Sequence, residues 1–440
     1  MSAPPLSGVV VGSGVGAYVR LLRYPPARHP FLAALVARLP IAMAPLGILL
    51  LVQHERGAYS TAGFVTGAFA LGSAVGMPLW GRLMDRYGQI PVLLPTALGS
   101  SALLAALAGA TVWGASTGLL LLAALLAGIT FPPMSPAMRA AWRVILPDAN
   151  ARRVAFALDA TSVELIFVGG PLLLSVLLGL TVPVVPLLIT AALMATGAVA
   201  YCRTEAARRS RPHPAAPAPP TPAGHPRIRS IDRWRASVVG ATGVGVMLFV
   251  ILMLSVGFGQ LDTSMAATAG QLLGGTENVG LLFAAIAGGS TVGGLVYGSR
   301  AWAVTERRAI PTLLGLFAVL LAVMALLTRL PDPSLWAVFG LLAITGATIA
   351  PTLILQQSLL DRLAPSHRLN EAQALLSAAT TTGGAAGTAL AGLLIDYQGL
   401  SWSFGGAAAG VGLAAGIAAL SQRRWQGADE PTESSVADSD

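Results

Sequence analysis

The sequence contains no lysine, so its 27 Lys and Arg positions are all arginine. Only 10% of the 440 residues are charged, whereas soluble domains contain about 25%. Hydrophobic residues make up 55% of the chain, and the mean hydropathy is +0.72. A chain with so few charges and so many apolar side chains cannot remain in water, and these values predict an integral membrane protein.

Several kinds of catalytic and metal site are missing. The single cysteine, Cys202, excludes an internal disulfide and fits no multi-cysteine metal site. The five histidines lie at predicted helix ends or in loops without an HExxH motif, so a membrane metalloprotease is not supported. The glycine-rich stretch at 12–16 follows no predicted strand and is not a nucleotide site. We therefore expect no enzyme activity and no cofactor, and the absence of an ATP-binding motif favours a gradient-driven process.

Long apolar runs divide the chain into segments that match the thickness of a bilayer. Because backbone groups in lipid must form hydrogen bonds internally, each run of about 20 apolar residues predicts a transmembrane helix. The sequence predicts twelve spans, at residues 31–52, 60–80, 91–112, 117–138, 154–178, 183–202, 238–268, 278–299, 309–328, 334–360, 370–395 and 400–420. The eight tryptophans fall near predicted span ends, as an interfacial belt requires. The fold class is therefore an all-α membrane protein.

The arginines lie almost entirely in alternate connections between the predicted spans. They occur in the N-terminal segment, in every second connection and in the tail, whereas the other connections contain only Arg56 and Arg329. Because basic loops are retained in the cytoplasm, we expect a multi-pass protein of the cell inner (plasma) membrane with both termini cytoplasmic. The net charge of +8 then reflects topology and not nucleic-acid binding.

A Pro- and Ala-rich segment at 203–235 separates six predicted spans from six. Its composition cannot pack a core and predicts an extended, mobile cytoplasmic linker. We therefore divide the chain into an N-terminal cytoplasmic segment (1–30), a first six-helix bundle (31–202), the linker (203–235), a second six-helix bundle (236–420) and an acidic, disordered tail (421–440).

The two predicted bundles show signs of an internal repeat. A shift of 217 residues places Gly63 on Gly280 and aligns further small residues, namely Gly72 with Gly289, Ser73 with Ser290, Gly76 with Gly293 and Gly81 with Gly298. Such internal symmetry predicts two pseudo-symmetric halves. The Gly-x-x-x-Gly spacings at 72–76, 289–293 and 383–387 allow close helix approach. They serve either static packing or a smooth face on which the two bundles rock.

A short charged segment, GRLMDRYGQIP, joins the second and third predicted spans. It resembles the loop between helices 2 and 3 of the major facilitator superfamily, whose pattern is Gly-x-Leu-x-Asp-Arg-x-Gly followed by basic residues. Gln89 and Ile90 take the basic positions here. Five residues match the pattern: Gly81, Leu83, Asp85, Arg86 and Gly88. The resemblance implies two six-helix bundles around a central cavity that opens alternately to each side.

The resemblance also implies a gating role for this segment, with Gly81, Asp85, Arg86 and Gly88 as the gating loop. Asp85 would dock on helix 11 of the other half, near Gly387–Asp396, and latch the outward-open state.

Four charged residues lie inside predicted apolar spans: Arg38, Asp159, Glu164 and Asp262. A charge at a helix centre costs about 2.5–3.5 kcal/mol on insertion scales, so each needs a partner or a wet cavity. Matching depths on the parallel first and fifth spans predict an Arg38–Asp159 ion pair. Glu164 is then left without an assigned cation and is the best candidate proton carrier, followed by Asp262. The alternative is that these charges only hold helices together.

By the same resemblance, Asp262 lies on a helix that lines the cavity, with Gln260 or Ser264 near it. Met43 and Phe131 would belong to the largely apolar wall. These features favour a monomeric secondary transporter, an antiporter that exports a small, partly apolar molecule against a flow of protons. The open alternatives are a proton symporter that imports a small metabolite and a transport-inactive membrane receptor or scaffold.

Overall fold

A computed structural model describes residues 15–146, 148–210, 242–299, 305–364, 369–422 and 425. The regular secondary structure within these residues is entirely helical. In chain order the helices are α1 (Val15–Arg23), α2 (Pro25–Arg38), α3 (Pro40–Arg56), α4 (Tyr59–Tyr87), α5 (Ile90–Val112), α6 (Thr117–Ile129), α7 (Met134–Ile145), α8 (Ala149–Leu180), α9 (Val184–Cys202), α10 (Glu205–Arg209), α11 (Thr242–Leu272), α12 (Val279–Gly298), α13 (Glu306–Leu327), α14 (Leu335–Leu363), α15 (Leu369–Gln398) and α16 (Leu400–Leu420). A 3₁₀ turn, Thr276–Asn278, precedes α12.

The described residues contain twelve segments long and apolar enough to cross a membrane, which confirms the predicted number. Two of these spans consist of two helices each. The first, Pro25–Arg56, contains α2 and α3, and the fourth, Thr117–Ile145, contains α6 and α7. Proline explains the first break, because Pro40 lacks the N–H that would continue α2.

The shift of 217 residues found in the sequence also relates the helices of the two halves. Applied to the first residues of α4, α5, α6 and α9, it gives positions 276, 307, 334 and 401. The 3₁₀ turn before α12 begins at the first of these positions, and α13, α14 and α16 begin within one residue of the others. The repeat is therefore a property of the helical framework.

The chain divides into two compact units. The first comprises Met1–Pro220 and Ala269–Phe283, and the second comprises Thr221–Thr268 and Ala284–Asp440. The segment Ala269–Phe283, which we predicted to belong to the second bundle, thus groups with the first. Ser175 on α8 provides a reason, since its hydroxyl donates to the Glu277 carbonyl and accepts from the Gly280 N–H at 3.1 Å.

The Gly-x-x-x-Gly pairs pack helices together inside each unit. A Cβ atom at any of these glycines would collide with backbone of the facing helix. The glycines and the carbonyls they meet are Gly72 with Leu125, Gly76 with Ile129, Gly289 with Ala343, Gly293 with Ala347, Gly383 with Leu252 and Gly387 with Val256. The structure therefore favours the static-packing interpretation of these spacings.

Two short helices lie outside the predicted spans. Helix α1 forms in the predicted N-terminal segment and buries Leu21 completely. Helix α10 forms in the predicted linker, where the Thr204 hydroxyl caps it and Ala206 and Ala207 are buried. The first linker residues therefore pack against the unit instead of being extended. Linker residues 211–235 and the tail beyond residue 425 lie outside the described residues.

Candidate functional site

The predicted ion pair between the first and fifth spans is present. Nη1 of Arg38, the last residue of α2, lies 2.8 Å from Oδ1 of Asp159 on α8. Arg38 is 1% exposed and Asp159 is 5% exposed. Nη2 of Arg38 also donates to the backbone carbonyl of Ser135 on α7, at 3.5 Å. The guanidinium thus joins three spans of the first unit.

The position of Arg38 follows from the two interrupted spans. Arg38 lies directly before the break at Leu39, and Ser135 lies directly after the interruption between α6 and α7. Backbone groups outside the α-helical hydrogen-bond pattern are tolerated at membrane depth only where protein or a wet cavity provides their hydrogen-bond partners. Because Asp159 neutralises the guanidinium, this pair is suited to hold the helices and not to release a proton.

A second buried polar group, missed in the sequence, links the start of α5 to α7 and α9. Tyr201 donates its hydroxyl to Oε1 of Gln89 at 2.9 Å, and Gln89 donates Nε2 to the Ala137 carbonyl at 2.9 Å. Gln89 is 5% exposed and Tyr201 is fully buried. Gln89 occupies a motif position where the superfamily has a basic residue, and this departure was the available sequence signal. A neutral amide can be buried here, whereas a charge would need a partner.

The repeat places a related contact in the second unit. The shift of 217 residues carries Gln89 onto Glu306, the first residue of α13. Oε1 of Glu306 accepts from the Ser358 hydroxyl at 2.8 Å and from Nη2 of Arg362 at 3.1 Å, both on α14. In each unit, a polar side chain at the start of one span is thus bonded to the end of the next.

Glu164 lies on an exposed face of α8, although we expected it to be buried. Glu164 lies five positions after Asp159, so the two carboxylates are about 140° apart around the helix. The exposed residues near Glu164 on α8 include Ala157, Ala160, Thr161, Leu165 and Phe167. No ion pair or hydrogen bond to the Glu164 side chain occurs within the part of the chain that the structure describes.

Asp262, in the middle of the span Gly243–Leu272, has an exposed side chain. The residues one turn away on the same face of α11 are Phe258, Gly259, Met265 and Ala266. Phe258 is partly buried and the other three are buried. Asp262 is therefore exposed on an otherwise buried face of α11.

The side chains expected beside Asp262 are elsewhere. Gln260 and Ser264 are 3% and 0% exposed. The Ser264 hydroxyl lies 2.7 Å from the Ser403 hydroxyl, and Gln260 packs against Gly406 on α16. The reason is helical geometry, because residues two apart are separated by about 200° around an α-helix. Gln260 and Ser264 therefore lie on a different side of α11 from Asp262, and their place in a substrate cavity stays a prediction.

The apolar residues assigned to the cavity wall are also packed inside helix contacts. Met43 is fully buried and lies beside Gly170 on α8. Phe131 is 4% exposed and packs edge-on against Phe69, with 5.6 Å between ring centroids. Among the five predicted cavity residues, only Asp262 is exposed.

The gating loop is mostly helical. We predicted a turn over Gly81–Gly88, but α4 continues through Gly81 to Tyr87 and ends at Gly88, whose φ is +89°. Asp85 and Arg86 are exposed on the last turn, and the Arg86 guanidinium lies 5.3 Å from the centroid of the Tyr87 ring. The docking of Asp85 on the other half stays a prediction.

These observations define the class of protein. Twelve membrane-spanning segments in two repeated halves, with charged side chains inside the spans, characterise a helical membrane transporter. Residues 30–299, more than half of the chain, match the family model of the Major Facilitator Superfamily. The chain therefore belongs to this superfamily and is a transporter of small molecules, not an enzyme.

Solved structures of transporters share this fold. A bacterial homolog of the human lysosomal transporter Spinster, in an inward-facing and unoccupied conformation, is 16% identical with a TM-score of 0.68, over 93% of this chain and 99% of that chain. A mutant of the nucleoside transporter NupG is 13% identical with a TM-score of 0.62, over 91% and 100%. The human organic anion transporter MFSD10 (TETRAN) is 18% identical with a TM-score of 0.58, over 90% and 100%.

At such low identity these likenesses establish the fold alone. No protein among the curated sequences matches the chain significantly.

Proposed function

We propose that the protein is a proton-coupled secondary transporter that exports a small, partly apolar molecule by alternating access. The observation that carries the proposal is Asp262, an exposed carboxylate inside a membrane span whose same-face neighbours are buried or partly buried. A carboxylate at this depth is costly in lipid, so its retention is explained best by a wet path for protons or substrate.

Glu164 is the second proposed proton carrier. Its side chain is exposed on α8, and no cation neutralises it within the described residues. The Arg38–Asp159 pair differs from both carboxylates, because each of its members has a buried, oppositely charged partner. The charges inside the spans thus separate into one neutralised pair with a structural role and two acids free to exchange protons.

The proposal also includes the orientation of the protein in the membrane. The arginine distribution supports both termini in the cytoplasm of the plasma membrane. A reporter fused near Ala218 should therefore be active only as a cytoplasmic protein. An external signal at this position would contradict the orientation.

Transport by the purified protein in proteoliposomes is the decisive assay. A pH gradient is imposed, a panel of small amphiphilic compounds is offered, and compound flux is recorded together with internal pH. Proton flow opposite to compound flow supports export by antiport. Flow of both in the same direction supports the alternative of import by symport. Saturable binding without any flux supports a transport-inactive receptor.

A further inference from the structure

A cavity of about 550 Å³ opens at one end of the first unit. It lies where α2 begins and where α7 and α9 end, and α10 closes one side. Because three spans start or end here, the cavity lies at the level where the hydrocarbon of the bilayer gives way to the lipid headgroups. It contains none of the residues assigned above to proton transfer.

The wall of this cavity has a cationic part and an apolar part. Arg203 and Arg209 provide the cationic part, and His29 lies beside them in the wall. Val144 and Ala200, which are both exposed on the last turns of α7 and α9, provide the apolar part together with neighbouring prolines. Along α9, Ala200 precedes Arg203, so the apolar part lies nearer the membrane interior than the arginine.

The positive charge of the cavity is only partly neutralised. Nη2 of Arg209 forms an ion pair with Oε1 of Glu205, and both side chains are about two-thirds exposed (67% and 70%). Arg203 has no ion pair within the described residues. Nη2 of Arg28, which is not part of the wall, lies 3.2 Å from Nε2 of His29. The wall therefore contains two arginines and one carboxylate.

We propose that this cavity binds the phosphate group of an anionic phospholipid. Arginine suits phosphate because its guanidinium offers several fixed donors. Basic pockets between spans on the cytoplasmic side are suited to anionic headgroups. Free phosphate shares this chemistry, but it would make no use of the apolar wall. Acyl chains can lie along Val144 and Ala200 while the headgroup contacts Arg203 and Arg209.

A lipid in this position would connect four helices. Its phosphate would bridge α10 and the end of α9, and its chains would cover α7 beside the first turn of α2. Bound lipid should therefore stabilise the folded protein by mass action, independently of the transported substrate.

The test is the thermal unfolding midpoint of the full-length protein in nanodiscs of phosphatidylcholine that contain increasing fractions of phosphatidylglycerol. The midpoint should rise with phosphatidylglycerol and saturate. In Arg203→Ala/Arg209→Ala, half-saturation should require about tenfold more phosphatidylglycerol or higher, since each basic side chain near a membrane surface contributes about 1 kcal/mol. Arg208→Ala is the matched control, because Arg208 lies on the same helix outside the cavity and should bind as the unaltered protein does.

Glu205→Gln provides a test that does not depend on the stability of the double variant. Release of Arg209 from its carboxylate should lower the phosphatidylglycerol fraction needed for half-saturation. An equal effect of Arg208→Ala and the double variant, or an unchanged response of Glu205→Gln, would overturn the proposed site. An equal rise of the midpoint with millimolar inorganic phosphate in phosphatidylcholine nanodiscs would assign the cavity to a soluble anion and overturn the lipid assignment.

Discussion

Arg38 and Asp159 are 121 residues apart in the chain, yet their side chains meet at 2.8 Å in the interior of the first unit. Removal of one partner from a buried pair leaves an uncompensated charge and costs roughly 3–5 kcal/mol. Arg38→Ala should therefore sharply lower the yield and the unfolding temperature of the protein. The double variant Arg38→Ala/Asp159→Ala should recover part of the loss. Both quantities can be measured after purification in detergent.

Arg20→Ala is a suitable control for this prediction, because Arg20 is exposed on α1 and its Nε donates to the Gly16 carbonyl on the same helix. It should leave the unfolding temperature nearly unchanged. A double variant that is no more stable than Arg38→Ala would show that the two charges do not depend on each other.

Two adjacent glycines on α12 test the packing of the second unit. A Cβ atom at Gly289 would collide with the Ala343 carbonyl, whereas Gly288 faces open space. Gly289→Ala should force α12 and α14 apart and lower the unfolding temperature. Gly288→Ala should be neutral or slightly stabilising, because alanine favours helix by about 1 kcal/mol over glycine. Equal behaviour of the two variants would argue against the close contact.

The Gln89–Tyr201 hydrogen bond can be measured by a double-mutant cycle. Gln89→Ala leaves the buried hydroxyl of Tyr201 with only the Ala137 carbonyl, at 3.2 Å. The loss of buried hydrogen bonds should cost about 1–3 kcal/mol of unfolding free energy. The effects of Gln89→Ala and Tyr201→Phe should be less than additive, since both remove one shared contact. Additive effects would indicate that the two side chains belong to separate networks. The control Tyr87→Phe, at an exposed tyrosine, should leave the unfolding free energy unchanged.

Much of the fold could be predicted from the sequence because lipid imposes simple rules on a chain. Helices in a bilayer must be apolar and about 20 residues long, so the number of spans follows from composition. The pairing of Arg38 with Asp159 followed from depth alone, because two buried charges of opposite sign at the same level neutralise each other at the lowest cost.

The site was harder to predict, because a single sequence shows depth better than direction around a helix. The resemblance implied that Gln260 or Ser264 lies near Asp262, although residues two apart point away from each other. The repeat gave no help here. Under the 217-residue shift Arg38 corresponds to Ser255 and Asp262 to Pro45, so the charges inside the spans are not repeated between the halves. The charges inside the spans therefore occupy unsymmetric positions in a repeated framework.

The central claim is that carboxylates inside the spans couple protons to substrate. Glu164→Gln removes a titratable group from an exposed face of α8 and leaves its size unchanged. Glu55→Gln is the matched control, because Glu55 is also exposed but lies at the end of α3. Both variants should reach the normal protein level, since neither carboxylate is buried.

The most direct measurement is substrate flux in proteoliposomes, recorded once under a pH gradient and once as counterflow exchange without one. Asp262→Asn and Glu164→Gln should each lose pH-driven flux and retain counterflow, whereas Glu55→Gln should retain both. If Glu164→Gln keeps full pH-driven flux, Glu164 does not carry the proton, and Asp262→Asn becomes the deciding variant. Full pH-driven flux in both Glu164→Gln and Asp262→Asn would contradict the account.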